Sequence, residues 1–164
     1  MTRPEGPVED ITMRYEQTRT ILHHLAPAYH RTVSGYFQEM ADGEVSPRVR
    51  LMLEYLIDHE MHRALALGDF CREAPFKVLD HWFKGLEINF PEARADLIDD
   101  AARTDLDQLI KVAVDYKKIL VDYFTYLLDH CTDRETFNLF QTLKNQEEKA
   151  MKRMVRHSQG LMDL

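Results

Sequence analysis

Two glutamates occupy positions that a helix would bury. Glu60 follows Leu53 and Leu56 at helical spacing, and Glu147 follows a phenylalanine and a leucine at the same spacing. A carboxylate is costly to bury unless a metal ion, a cation or a strong hydrogen-bond donor lies beside it. The sequence therefore predicts a polar site inside a helical core.

Histidines lie close to the first of these acids. His59 and His62 stand on either side of Glu60, and Asp58 precedes His62 by four residues. The pair formed by Asp58 and His62 could in principle bind a metal ion from one helix face. We favour the simpler interpretation, in which these residues form the polar flank of an amphipathic helix.

Composition excludes several classes of protein. The chain has 164 residues, 45% of them hydrophobic, and a net charge of −7, which disfavours binding to nucleic acid or to an anionic membrane. It contains no apolar run long enough to span a bilayer. Cys71 and Cys131 form no Cys-x-x-Cys motif, and no Walker loop or dinucleotide-binding glycine motif is present. The polar, proline-containing first ten residues lack the apolar stretch of a signal peptide, so we expect a cytoplasmic protein.

Four long amphipathic helices account for most of the chain. Apolar periodicity predicts helices over residues 10–41, 46–71, 104–130 and 132–160. Pro27 should bend or divide the first helix, because proline lacks an N–H and its ring clashes with the preceding turn. The predicted N-caps are Ser46, Thr104 and either Thr132 or Asp133.

A long crossover joins the second and third helices. Residues 72–103 contain Pro75, Gly85 and Pro91, with short helices predicted over 78–83 and 91–102. Short, long and short connections are typical of a four-helix bundle with one crossover. We expect one domain over residues 10–164, preceded by a flexible N-terminus over residues 1–9.

The two helical pairs match each other in sequence. Adding 87 to the residue numbers of the first pair gives similar residues in the second without a gap: Tyr29 and Tyr116, Tyr36-Phe37 and Tyr123-Phe124, Glu60 and Glu147. The shared helical period explains matching apolar positions, but it does not explain matching tyrosines and a glutamate. The sequence therefore predicts two similar helical hairpins related by a pseudo-two-fold axis.

These motifs resemble the ferritin-like superfamily, most closely the rubrerythrin-type domain, over residues 10–159. The matching frames are the two aromatic pairs together with Leu53-x-x-Leu56-x-x-x-Glu60 and Phe140-x-x-Leu143-x-x-x-Glu147. The resemblance implies an all-α, ferritin-like four-helix bundle with the long crossover between helices 2 and 3. It also implies two irons held by four carboxylates and two imidazoles.

Only part of that implied ligand set is present. The six ligand positions fall on His30, Glu60, Arg63, Lys117, Glu147 and Ala150. Two glutamates remain and two positions have become cations, so the charges balance without a metal. A metal ion would be repelled by Arg63 and Lys117 at low dielectric constant, and arginine cannot deprotonate. We therefore expect ion pairs, with hydrogen bonds from Tyr29, Tyr116 and His30, in place of a di-iron centre.

Two functions follow from this comparison. The leading hypothesis is a ferritin-like protein that has lost its di-iron centre, carries no cofactor and acts without catalysis through its surface or a protein partner. The alternative is an oxidoreductase with a mono- or dinuclear iron or manganese site on His30, Glu60 and Glu147, which His23 could join from the same helix face. A hemerythrin-type site is not favoured, because no histidine is followed four residues later by histidine or glutamate. We expect a homodimer, since bundles of the resembled family often pair along their helices.

Overall fold

Four long helices form the body of the protein. The computed structural model describes residues 15–164. The helix that we call α1 covers residues 18–42 and consists of Thr18–Thr20, a π-helical turn over Ile21–Leu25 and Ala26–Asp42. The other long helices are α2 (Pro47–Glu73), α4 (Leu106–Asp129) and α5 (Arg134–Met162), and a short α3 (Phe76–Leu79) lies in the crossover. The prediction of an all-α bundle with a long crossover is confirmed.

Packing joins the helices into two hairpins. α1 packs mainly on α2 and α4 mainly on α5, while α2 also contacts α5 and α4. None of the helices in residues 15–164 combines the length and the apolar composition of a membrane-spanning segment. The predicted flexible N-terminus, residues 1–9, and the first five residues of the predicted first helix lie outside the described part of the chain.

The start of the first helix was predicted wrongly. Tyr15–Gln17 form a strand, β1, which pairs antiparallel with β2 (Trp82–Lys84) in the crossover. The predicted helix over 78–83 is also wrong, because helix α3 ends at Leu79. Phe83 is buried between exposed neighbours, which is the two-residue alternation of a strand. The Phe83 ring packs edge-on against Phe140 with centroids 5.5 Å apart, so this two-stranded ribbon covers one end of the core.

The rest of the crossover holds only short 3₁₀ turns. Ala95–Leu97 and Asp100–Arg103 replace the helix predicted over residues 91–102. Tyr36 and Tyr116 donate their hydroxyl hydrogens to the backbone oxygens of Ala93 and Arg94, at 3.0 and 2.6 Å. The crossover is therefore held against α1 and α4 by tyrosine side chains.

Pro27 lies inside α1 and does not divide it, while the expected bend stays a prediction. A π-helical turn precedes the proline, and the N–H of Ala26 donates to the carbonyl of Ile21, five residues earlier. The wider turn changes the carbonyl pattern just where proline has no N–H to offer. The expected division of the helix is replaced by this local change of winding.

Aspartates cap the second hairpin. Asp105 caps α4 by accepting from the N–H of Asp107, so the predicted cap at Thr104 is wrong by one residue. Asp133 caps α5, and its carboxylate accepts from both the N–H and the hydroxyl of Thr136, at 2.9 and 2.8 Å. Ser46 stands at the N-cap of α2, but its side chain makes no capping hydrogen bond.

The substitution Asp133→Ala should lower the free energy of unfolding by about 1 kcal/mol, because it removes both hydrogen bonds to Thr136. Ser46→Ala is the matched control and should change the free energy much less, since no capping bond is lost. Urea denaturation measures both variants. Equal losses in the two variants would contradict this assignment of the caps.

Candidate functional site

Each long helix places one polar side chain in the centre of the bundle. These are His30 from α1, Glu60 from α2, Lys117 from α4 and Glu147 from α5, and each side chain is at most 3% exposed. Arg63, one turn after Glu60 on α2, adds a fifth side chain that is 13% exposed. We call these five residues the ion cluster. All five were candidate site residues in the sequence, and the structure places them together.

The Lys117 ammonium group lies between the two carboxylates. Its Nζ is 2.7 Å from Glu147 Oε1 and 3.0 Å from Glu60 Oε2. Arg63 Nε donates to the other oxygen of Glu147 at 2.9 Å. Two buried negative charges are thus matched by two positive charges at hydrogen-bond distance, which is the arrangement that makes buried carboxylates tolerable.

His30 completes the cluster from α1, the helix that packs on α2. Its Nδ1 is 2.6 Å from Glu60 Oε1, and its Nε2 is 3.7 Å from Glu147 Oε2. Because Glu60 is a carboxylate and can only accept, His30 Nδ1 must carry the hydrogen of the short contact. His30 therefore orients Glu60 while Lys117 bridges the two acids.

The ion cluster shifts the pKa values of its two glutamates and its lysine so that each charged form is favoured. Burial alone would raise the pKa of the Glu60 carboxyl, but Lys117 and the His30 hydrogen bond outweigh it and lower that pKa to about 2. Burial opposes ionisation of Glu147 too, yet the Lys117 charge and the other cations hold its pKa well below the ordinary range. Burial alone would lower the pKa of Lys117, but the two carboxylates more than offset this and raise it. The charged forms are therefore the stable ones.

The two tyrosines that were candidates for the site hydrogen bond to the backbone and not to the carboxylates. We expected Tyr29 and Tyr116 to donate to the acids, and this was wrong. The Tyr29 hydroxyl donates to the backbone oxygen of Tyr116 at 2.6 Å, and the Tyr116 hydroxyl donates to the oxygen of Arg94. Burial raises the pKa of Tyr116 to about 12, and that of Tyr29 is raised further. Both tyrosines brace the backbone beside the cluster.

His59 is a site residue that sequence reasoning missed. We assigned it to a polar helix flank, but its side chain is only 15% exposed and its Nε2 lies 3.9 Å from Glu60 Oε2. Burial, together with the Lys117 charge, lowers the pKa of His59 to about 4. Its Nε2 and the Nη2 of Arg63 are buried without a hydrogen-bond partner within the described residues. A signal was present, since His59 directly precedes a glutamate on the apolar face.

The other candidate ligands do not reach the cluster. His62 is exposed and its ring Nδ1 hydrogen bonds to the backbone oxygen of Asp58, as the polar-flank interpretation expects. His23 is exposed, which removes it from the alternative site on His30, Glu60 and Glu147. Burial raises the pKa of Cys131 to about 11, so its thiol is a poor nucleophile.

The ion cluster does not fit a di-iron centre. The space between the two carboxylates, where a bridging metal ion would lie, holds the Lys117 ammonium group. An added cation would face both Lys117 and Arg63 in a water-poor interior, where like charges repel strongly. Within residues 15–164, no group of three or more histidine, cysteine, aspartate or glutamate side chains has an arrangement that could hold a metal ion.

Comparison with known proteins identifies the fold of the chain. No protein-family model matches the chain, and no curated protein matches it. A solved structure from Thermotoga maritima, described as a ferritin-like diiron-carboxylate protein, matches with a TM-score of 0.58 and 13% sequence identity. The match covers 89% of this chain and 97% of that chain. The chain therefore has the ferritin-like fold, as the sequence resemblance implied.

Removing the Lys117 ammonium group should make the protein much less stable. Lys117→Met leaves two buried carboxylates with too few partners, and we expect a loss of about 3–5 kcal/mol in the free energy of unfolding. Lys118→Met, at the exposed neighbouring position, should change it by less than about 0.5 kcal/mol. Urea denaturation compares the two, and a loss for Lys117→Met no larger than that of the control would refute the bridging role.

Stability should fall as the solution becomes acidic. The pKa of His59 is lowered to about 4 in the folded protein, so the unfolded chain binds its proton first and stability is lost as pH falls through this range. The pKa of Glu60, lowered to about 2, extends the loss below the ordinary glutamate range.

His59→Gln should therefore remove the part of the loss that lies between about pH 7 and 4, which amounts to no more than about 3 kcal/mol. His62→Gln changes an exposed histidine on the same helix and serves as the control. Thermal unfolding across this pH range measures both, and an unchanged profile for His59→Gln would show that His59 is not held neutral by the fold.

Proposed function

We propose that this chain is a ferritin-like protein of the rubrerythrin type in which the ion cluster has replaced the di-iron centre. The observation that carries the proposal is the position of Lys117 Nζ, within 3.0 Å of both Glu60 and Glu147. A fixed cation there performs the charge balance that a metal ion would otherwise perform. The protein then has no redox centre at this position and acts without catalysis, through its surface.

The symmetry of the contacts supports descent from two similar hairpins. His30 and Lys117 are 87 residues apart, as are Glu60 and Glu147. His30 contacts Glu60 at 2.6 Å, and the corresponding contact of Lys117 with Glu147 is 2.7 Å. Equivalent positions therefore make equivalent contacts, with histidine in one hairpin and lysine in the other. In this proposal, the histidine and the lysine at these equivalent positions replace the ligands of a metal site that once had two-fold symmetry.

One observation favours a metal-binding alternative. His30 lies 2.6 Å from Glu60 and 3.7 Å from Glu147, and imidazole and carboxylate groups are suitable ligands for iron or manganese. That function requires Lys117 and Arg63 to leave the carboxylates, which would strand two cations in the interior. We therefore rank an oxidoreductase with a variant metal site second.

Action through a surface implies a partner. We propose a homodimer or a complex with another protein, located in the cytoplasm, with no cofactor needed to complete the fold. Free thiols agree with this location: Cys71 and Cys131 are unpaired and partly buried.

Metal analysis of the purified protein tests the proposal. After anaerobic dialysis against ferrous or manganous salt, we expect far less than one bound ion per chain by elemental analysis. Glu60→Gln should lower the free energy of unfolding without changing metal content, because it weakens the partnership with Lys117. Glu54→Gln, exposed on the same helix, is the control. Stoichiometric metal that Glu60→Gln abolishes in a folded protein would establish the alternative function instead.

A further inference from the structure

Four cations form a row on the outer surface of α5. Lys149, Lys152, Arg153 and Arg156 follow the i, i+3, i+4, i+7 spacing of one helix face, and all four are exposed. We call them the basic stripe. From residue 149 to residue 162 the chain has no acidic residue, although its net charge is −7. The described residues give none of the four an ion-pair partner.

Helix electrostatics do not account for the stripe. Cations are stabilised in the last turn of a helix, where the carbonyl groups point outward. The last turn of α5, which ends at Met162, contains no basic residue. The four cations lie before that turn, so the helix dipole does not account for them, and their like charges repel one another along the helix face.

An apolar groove runs beside the stripe. Val114 of α4 and Met151 and Val155 of α5 line a groove of about 420 Å³, which Lys152 and Arg156 border. Val155 is a large apolar residue, and 38% of it is exposed to solvent. A row of cations next to an apolar groove is the complement of a helix with acidic residues beside an apolar row.

We propose that the basic stripe and this groove bind an acidic amphipathic helix of a partner protein. The apolar row of the partner would fill the groove over Val114 and Val155, and its carboxylates would pair with the stripe. A second copy docked through the same face is disfavoured, because the stripe would then face its own like charges. The proposal rests on the proposed function only in taking the protein to act by binding, and it does not depend on the ion cluster.

Fluorescence anisotropy with a labelled synthetic helix tests this proposal on the full chain. The probe carries leucines in one row and glutamates at the spacing of the stripe. We expect saturable binding that weakens as salt is added, because exposed charge pairs are screened. Lys152→Glu with Arg156→Glu should weaken binding by about tenfold while circular dichroism stays unchanged.

Arg31→Glu with Arg134→Glu is the matched control, since it changes the net charge equally at exposed positions on α1 and at the start of α5. An equal loss in this control, or no binding of the probe to the native chain, would overturn the proposal. Tighter binding of phosphatidylserine vesicles or of duplex DNA than of the acidic helix would also overturn it. Metal content decides the proposed function separately, so failure of one does not imply failure of the other.

Discussion

The interior of this bundle depends on one ammonium group shared by two buried carboxylates. Lys117 Nζ contacts both Glu60 and Glu147, and its charge is the largest of the interactions that oppose the effect of burial and keep both acids ionised. The surrounding groups serve the same balance: Arg63 takes the remaining oxygen of Glu147 and His30 orients Glu60. A solved structure with the same fold is described as a ferritin-like diiron-carboxylate protein, whereas the centre of this bundle holds paired side-chain charges.

Much of the fold follows from sequence patterns that have a direct physical cause. The four helices were predictable because their apolar residues recur at helical spacing over many turns, and long periodic segments leave little ambiguity. The wrong predictions concern positions where two neighbouring residues suit the same role or where the structure depends on residues distant in the chain. Thr104 and Asp105 are both good caps, and only the backbone geometry shows that Asp105 accepts the bond from Asp107. The strand containing Phe83 is three residues long, and its pairing with β1 depends on contacts nearly seventy residues apart in the chain.

In the site, the need for charge balance was predictable from the sequence, but the hydrogen-bond geometry was not. Charge balance on the apolar faces predicted that Glu60 and Glu147 would need cations, and the resemblance indicated Arg63 and Lys117. The hydrogen-bond acceptors were not predictable, because the hydroxyls of Tyr29 and Tyr116 could donate to either a carboxylate or a backbone oxygen, and each donates to a backbone oxygen. The burial of His59 was missed because a residue at the border of a helix face is buried or exposed according to its neighbouring helix.

A crystal structure of protein soaked in ferrous salt, with diffraction collected at the iron absorption edge, tests the central claim most directly. The account predicts Lys117 Nζ within hydrogen-bond distance of both carboxylates and no anomalous peak between them. An iron peak bridging Glu60 and Glu147, with Lys117 and Arg63 turned away from the acids, would contradict it.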